Sequence, residues 1–227
     1  MLYCTAIYPW GDYLQFGIYL NIFVLFVFFV DQMIFLGLFI QPQFKTMPDT
    51  SRLFFALWPD DETRQALARL SQSIAAKGLK WVQPRNLHVT LVFLGSVGAE
   101  TESLLKQSVA DINAQPFVLT FDTLSYWSKP KVLCLACRQP VPEAAVMLAS
   151  ALETAAANCG LHTDTRPYAP HITLARHARH LPDIQIKPIA WRAEAFCLIE
   201  SCSEPDGICY KVIQQWPFIK PTVNPDQ

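Results

Sequence analysis

The sequence of 227 residues predicts an α+β protein with two lobes related by a pseudo-twofold axis. Each lobe is expected to hold a mostly antiparallel sheet with helices on its outside, and a cleft between the lobes is expected to hold the active site. Two observations carry this prediction. The segment His88–Leu91, of the form His-apolar-Thr-apolar, is nearly repeated at His171–Leu174. Each copy also ends the same series of strand, helix and extended segment, which indicates an internal repeat.

The first series begins with a buried apolar strand that Pro59 ends. Asp60 or Asp61 can cap the helix that follows, and Gly78 is placed to end it. Gly95 is expected to close the strand that carries His88. The strand, helix, extended segment and second strand are predicted at 52–58, 61–77, 80–84 and 88–94.

The second series repeats this order, with Gly160 at the end of its helix. Its strand, helix, extended segment and second strand are predicted at 131–138, 142–158, 165–170 and 171–175. A further helix is expected over 100–113, and further strands over 117–124, 189–199 and 208–216. The turn signal Glu204-Pro205-Asp206-Gly207 makes a hairpin of the last two strands.

Composition limits the classes of function. A formal net charge of −1 excludes a broadly basic surface for nucleic acids, so any RNA would be held locally around a phosphate. Seven cysteines at scattered positions favour reduced cytosolic thiols over a disulfide framework. Cys134 and Cys137 lack the partners of a zinc site. No metal and no cofactor are expected.

Residues 1–46 differ from the rest, because they hold only three charged side chains and an uncharged apolar run over 14–30. This hydrophobic extension is either a membrane anchor or leader sequence from a start codon placed too early. A spanning segment would leave the body on the cytoplasmic side of the inner membrane. The preferred interpretation is a natural start at Met47, a bilobal domain over 47–220 and a disordered tail over 221–227, in a cytoplasmic protein.

The repeated tetrapeptides are the candidate site. On a strand, side chains two apart share a face, so His88 lies beside Thr90 and His171 beside Thr173. Two imidazoles and two hydroxyls on one surface suit acid–base chemistry on a phosphate-like oxyanion, with no metal required. Arginines near the second copy can complement a phosphate, and these are Arg166 and Arg176.

The flanks of both copies resemble those of the two-histidine (2H) phosphoesterases. Within that superfamily they are most similar to the bacterial RNA 2′,3′-cyclic phosphodiesterases, also called 2′-5′ RNA ligases. The resemblance spans about 52–216 and rests on three segments, which are 52–57, 81–95 and 166–176.

The resemblance implies hydrolysis of a ribose 2′,3′-cyclic phosphate to a 2′-phosphomonoester. It implies His88 as proton donor and His171 as proton acceptor. Because Thr90 and Thr173 project beside the histidines, their hydroxyls can donate to the phosphate oxygens. The residues alone leave the two histidine roles exchangeable. Tyr168 or Trp127 is a candidate for stacking on a base, although packing in the core is the more ordinary role for each.

Three alternatives stay open at this point. The same residues would serve a 2′-5′ RNA ligase acting on tRNA halves. A non-catalytic module that binds RNA ends or nucleotides is a second alternative, and a membrane-tethered interaction protein, resting on 14–40 alone, is a third. The expected partners are RNA ends or nucleotides bearing a 2′,3′-cyclic phosphate, with tRNA among them. The protein is expected to act as a monomer.

Overall fold

The computed structural model describes residues 25–30, 33–38, 49–74, 78–164, 166–205 and 207–219. The chain divides into two compact units, 1–47 and 48–227. In the first unit, β1 (Leu25–Val30) and β2 (Met33–Leu38) form an antiparallel hairpin. No helix among the described residues is long and apolar enough to cross a membrane. The predicted disordered tail over 221–227 lies outside the described residues.

The second unit confirms the predicted α+β class with mostly antiparallel pairing. Its helices are α1 (Asp61–Ser73), α2 (Ala99–Ser108) and α3 (Glu143–Asn158), and Pro84–Asn86 forms a 3-10 turn. Its strands are β3 (Thr50–Leu57), β4 (Lys80–Trp81), β5 (Val89–Gly98), β6 (Phe117–Trp127), β7 (Val132–Cys137), β8 (His171–Arg176), β9 (Ile189–Ala193), β10 (Ala195–Glu204) and β11 (Gly207–Pro217).

The sheet is symmetric about one junction. Its order is β11-β10-β3-β5-β8-β7-β6-β9, with β4 paired to β8. The predicted repeat therefore places β3-β5 on one side and β7-β8 on the other, with two further strands outside each pair. The two halves join where Val89 pairs with Ile172 between antiparallel strands. A local twofold axis passes through such a pair, which gives the pseudo-twofold relation its structural form.

Each half is covered by a helix from the other half. Helix α1, from the first repeat, packs against β9, and α3, from the second repeat, packs against β5. The two halves share one apolar core, to which Leu67 of α1 and Leu152 of α3 both contribute fully buried side chains. This exchange of helices makes the two halves one folding unit rather than two independent lobes.

The sheet curls toward closure. Ala193 ends β9 at one edge of the strand order, and Ala195 begins β10 next to the opposite edge. Because a single residue, Glu194, separates them, the two ends of the sheet must approach each other. The carbonyl of Glu194 accepts the backbone N–H of Phe218 at 2.7 Å. The single strand predicted over 189–199 is therefore two strands with different partners.

Element ends follow local chemistry. Asp60 caps α1, since its Oδ1 accepts the N–H of Thr63 at 2.7 Å, but the helix ends at Ser73, before the predicted end. Strand β5 continues past Gly95 to Gly98, where the sequence indicated a stop. Gly95 has a φ of +74° and follows a register shift. Its left-handed backbone bends the strand without ending it.

Candidate active site

The four candidate side chains of the two motifs lie on one face of the sheet. Val89 and Ile172 are fully buried in the core, so the residues on either side of each must point to the opposite face. Across an antiparallel pair, the residue before one partner faces the residue after the other. His88 thus lies toward Thr173, and His171 toward Thr90. The structure brings together the two imidazoles and two hydroxyls that the sequence predicted.

Each histidine is held by a hydrogen bond to the backbone carbonyl two residues before it. Nδ1 of His88 lies 2.7 Å from the carbonyl oxygen of Asn86, and Nδ1 of His171 lies 2.8 Å from that of Ala169. A carbonyl oxygen only accepts, so Nδ1 carries the proton in each ring. Nε2 is then the nitrogen that each imidazole offers for proton transfer.

A bulge follows the threonine in both motifs. Leu91 is the extra residue in β5 and Leu174 the extra residue in β8, because the partner strands skip these positions. Each bulge reverses the alternation, so the residue five positions after each histidine returns to the site face. In the first motif this residue is Phe93, and in the second it is Arg176. Equivalent positions on the two sides thus carry an aromatic ring and a cation.

His88 lies among aromatic rings. Its ring centroid is 5.0 Å from those of Phe54 and Tyr210 and 6.0 Å from that of Trp58, whose ring stacks on it. Burial lowers the pKa of His88 from 6.5 to about 4, while the hydrogen bond to Asn86 opposes this shift. The positive charges of His171 and Arg176 lower the pKa further. His88 is therefore neutral in the free protein at neutral pH.

His171 has a more open environment. Trp127 lies against it, with ring centroids 4.3 Å apart, and Trp127 is itself exposed. Burial is the main cause that lowers the pKa of His171, the hydrogen bond to Ala169 opposes it, and the charge of Arg166 adds to the lowering. Trp127, a predicted stacking candidate, thus reaches the site beside one of the two histidines.

The two threonines have different partners. The Thr90 hydroxyl lies 3.1 Å from Nε2 of His88, whereas that of Thr173 lies 3.8 Å from the sulfur of Cys134. Burial raises the pKa of the Cys134 thiol to about 11, so this sulfur stays protonated at neutral pH. Cys134 is therefore a buried, protonated thiol that packs beside Thr173.

Asn86 connects the first motif to the distant β10-β11 hairpin. It is one of the few buried polar residues in the described part of the chain, 5% exposed. Its Nδ2 donates to the carbonyl of Ile208 at 2.8 Å, and its Oδ1 accepts the N–H of Tyr210 at 3.3 Å. Because its backbone carbonyl also holds His88, Asn86 fixes both that imidazole and the strand that carries Tyr210.

The predicted arginines have different positions. Arg166 is 83% exposed and forms an ion pair with Asp164, although its charge acts on His171. Arg176 lies on the site face and takes part in no ion pair between described residues.

The predicted stacking candidates also differ. Tyr168 has a buried hydroxyl with no hydrogen-bond partner in the described part of the chain, and burial raises its pKa. Of the predicted stacking candidates, only Trp127 contacts a motif histidine.

Several residues of the site were not predicted from the sequence. Four are aromatic and one is an amide, and they come from segments that are distant in sequence but adjacent in the fold. They are Phe54, Trp58, Asn86, Phe93 and Tyr210. Phe54, Asn86 and Phe93 had a local signal, because they lie within two segments of the family resemblance, 52–57 and 81–95. Within the described ranges no group of three or more His, Cys, Asp or Glu side chains could hold a metal ion.

The fold and the candidate site are those of a phosphoesterase, and comparisons with known proteins agree. A family model described as LigT like Phosphoesterase matches residues 57–134. An Escherichia coli K12 protein named RNA 2′,3′-cyclic phosphodiesterase is 32% identical over 173 residues, which cover 75% of this chain and 98% of that protein. The chain belongs to the LigT-like phosphoesterase family.

A further relative and a solved structure extend this likeness. An Archaeoglobus fulgidus protein, also named RNA 2′,3′-cyclic phosphodiesterase, is 26% identical over 172 residues, or 70% of this chain and 96% of that protein. The crystal structure of E. coli LigT complexed with 3′-AMP has a TM-score of 0.68 and 30% identity, and covers 75% of this chain and 99% of that chain.

Proposed function

We propose that this protein hydrolyses 2′,3′-cyclic phosphates at RNA ends and leaves a 2′-phosphomonoester. The observation that carries the proposal is the placement of His88, Thr90, His171 and Thr173 on one sheet face about the Val89–Ile172 pair. The names of the relatives support the reaction, and the E. coli LigT complex with 3′-AMP supports binding of a nucleotide end.

The proposed reaction needs one base and one acid on opposite sides of the phosphorus. His171 accepts a proton from water as the water oxygen bonds to phosphorus. His88 donates a proton to O3′ as the bond between phosphorus and O3′ breaks. This assignment follows the family resemblance.

The low pKa of His88 makes the protonated form depend on substrate. In the free protein this ring is neutral at neutral pH, because its pKa is about 4. The negative charge of a bound cyclic phosphate stabilises an imidazolium beside it and raises the pKa. The donor is therefore formed together with the enzyme–substrate complex.

The remaining site residues bind the phosphate. The hydroxyls of Thr90 and Thr173 donate to non-bridging oxygens, where negative charge increases in the transition state. Arg176, brought to the same face by the bulge at Leu174, complements the phosphate charge. Phe93, at the position of the first motif equivalent to Arg176, is 59% exposed. Its ring offers a stacking surface for a base.

The test is product analysis with a 2′,3′-cyclic nucleotide followed by phosphorus NMR. The proposal predicts a 2′-phosphate as the product, with rates unchanged by a chelator. A 3′-phosphate as the product, or no turnover, would contradict it, and loss of activity in EDTA would favour a metal-dependent route. Action on tRNA halves, a monomeric state and a cytoplasmic location stay predictions.

A further inference from the structure

The end of the β10-β11 hairpin extends beyond the rest of the sheet. Strand β10 pairs with β3 only over 197–200, whereas its pairing with β11 continues to Glu204 and Gly207. Residues 201–204 and 207–210, the hairpin tip, therefore form a ribbon with no third strand among the described residues. Two strands alone are only marginally stable in water, so the hairpin tip depends on other contacts.

The hairpin tip is held to the first motif. The side chain of Asn86 makes two hydrogen bonds to its backbone, one of them with the N–H of Tyr210. The Arg85 guanidinium lies 3.8 Å from a carboxylate oxygen of Glu204. The ring of Tyr210 packs edge-on against His88, with centroids 5.0 Å apart. Opening of the hairpin tip would therefore release Asn86 and uncover His88.

Two thiols lie on the other face of the hairpin tip. Because Tyr210 points to the site face, the preceding residue, Cys209, points away from it. Cys202 is the direct cross-strand partner of Cys209, and such partners share a face. Both thiols are free and partly exposed. The two cysteines therefore lie side by side on the surface opposite to the histidines.

The placement of these thiols suits a disulfide. Directly opposed residues of antiparallel strands have Cα atoms about 4.5–5.5 Å apart, and a disulfide spans about 4.4–6.8 Å between Cα atoms. Burial and the Glu200 carboxylate raise the pKa of the Cys202 thiol, charge on Cys209 adds to this, and Lys211 opposes it. The two thiols are thus close enough to affect each other. An exposed disulfide is also more easily reduced than a buried one.

We infer that Cys202 and Cys209 form a reversible disulfide, which fastens the hairpin tip and keeps Tyr210 against His88. The oxidant is a low-molecular-weight disulfide, such as glutathione disulfide. One protein thiol gives up its proton and attacks a sulfur of the oxidant, which expels one glutathione thiolate. The second protein thiol then attacks the mixed disulfide and expels the other. The protein loses two protons and two electrons, and the oxidant becomes two thiols.

The first experiment counts free thiols with a maleimide in the unfolded protein, before and after incubation with glutathione disulfide. The wild type should lose two thiols with no glutathione adduct, and Cys202→Ser and Cys209→Ser should not form the bond. Cys159→Ser, which removes a partly exposed thiol at the end of α3, is the matched control and should behave as the wild type does. Unchanged thiols, a stable glutathione adduct or a disulfide-linked dimer in the wild type would overturn the inference.

Hydrogen exchange, measured by mass spectrometry, tests the effect on the hairpin tip without an assay of catalysis. Peptides covering 207–213 should exchange at least about threefold more slowly in the oxidised wild type than in the reduced protein, because a cross-link limits local opening. Peptides from α3 should not change, and Cys202→Ser should exchange equally under both conditions. Equal exchange at 207–213 in the oxidised and reduced wild type would overturn the inferred fastening. Absence of turnover would contradict only the proposed function, since neither measurement depends on it.

Discussion

The two motifs have almost the same sequence, yet their surroundings differ. His88 is enclosed by three aromatic rings, and its neighbour Asn86 is joined to the β10-β11 hairpin. His171 contacts the exposed Trp127, and its neighbour Ala169 supplies only a carbonyl. The repeat therefore places the two imidazoles alike on the backbone, while the side chains around them make their environments unequal. Phe54 and Trp58 come from the first strand of the repeat, and Tyr210 and Trp127 come from strands outside it. Two equal imidazoles would compete for one proton, and unequal ones can divide the roles of acid and base.

The largest expected effect is loss of either imidazole. We expect His88→Ala and His171→Ala each to lower turnover by about a thousandfold, because each removes one proton-transfer group. The two variants should differ in stability, since His88→Ala removes a ring packed against Phe54, Trp58 and Tyr210. Turnover assays and urea unfolding measure the two effects. Equal stability of the two variants would contradict the described difference in environment.

Loss of either hydroxyl should have a smaller effect on turnover. Thr90→Val and Thr173→Val are each expected to cost about 2–4 kcal/mol of transition-state stabilisation, the effect of one oxyanion donor. Only Thr90 also contacts Nε2 of a histidine. The pH profile of kcat/KM should therefore change its midpoints in Thr90→Val and keep them in Thr173→Val. Identical profiles would show that the Thr90 contact does not act on His88.

The pH dependence of stability tests the burial of His88. Between pH 6.5 and about 4 the unfolded chain binds a proton at this position and the folded chain does not, so stability is lost as the pH falls through this window. The loss is at most about 3 kcal/mol. Urea unfolding of His88→Gln should show a shallower dependence on pH than the wild type. His162→Gln, at an exposed position, serves as the control, and equal slopes for all three proteins would contradict the assigned pKa.

The link between Asn86 and the hairpin should stabilise one motif only. Asn86→Ala leaves the carbonyl of Ile208 and the N–H of Tyr210 without their partner, which we expect to cost about 2 kcal/mol of unfolding free energy. Ala169→Ser is the matched change in the second motif, and at an exposed position it should cost about 0.5 kcal/mol or less. Urea unfolding of both variants tests this, and similar losses would remove the asymmetry.

The smallest expected effect is at Cys134. Its thiol stays protonated at neutral pH because burial raises its pKa to about 11. Cys134→Ala should therefore retain turnover within about threefold, with a stability loss of about 1 kcal/mol from the lost packing. A turnover loss comparable with that of the histidine variants would indicate a catalytic thiol and contradict the two-histidine mechanism.

Local pattern was sufficient for the repeat and for the shared face of the motif residues, because strand alternation acts within a few residues. It was insufficient where distant segments meet. Asn86 and Tyr210 are 124 residues apart, and no local signal joins them. The bulges at Leu91 and Leu174 depend on the partner strands, so the turn of Arg176 toward the site could not be predicted. The residues over 189–199 have the pattern of one continuous strand. The break at Glu194 follows from the curl of the sheet, which local pattern does not reveal.

The central claim is that the two motifs are two halves of one site. The most direct test is kcat/KM for a 2′,3′-cyclic nucleotide in His88→Ala, in His171→Ala and in the double variant. Residues that act as one unit are not additive, so the double variant should be no more than about threefold less active than either single variant. A single variant that keeps about half of the wild-type activity would instead indicate two independent sites and contradict the account.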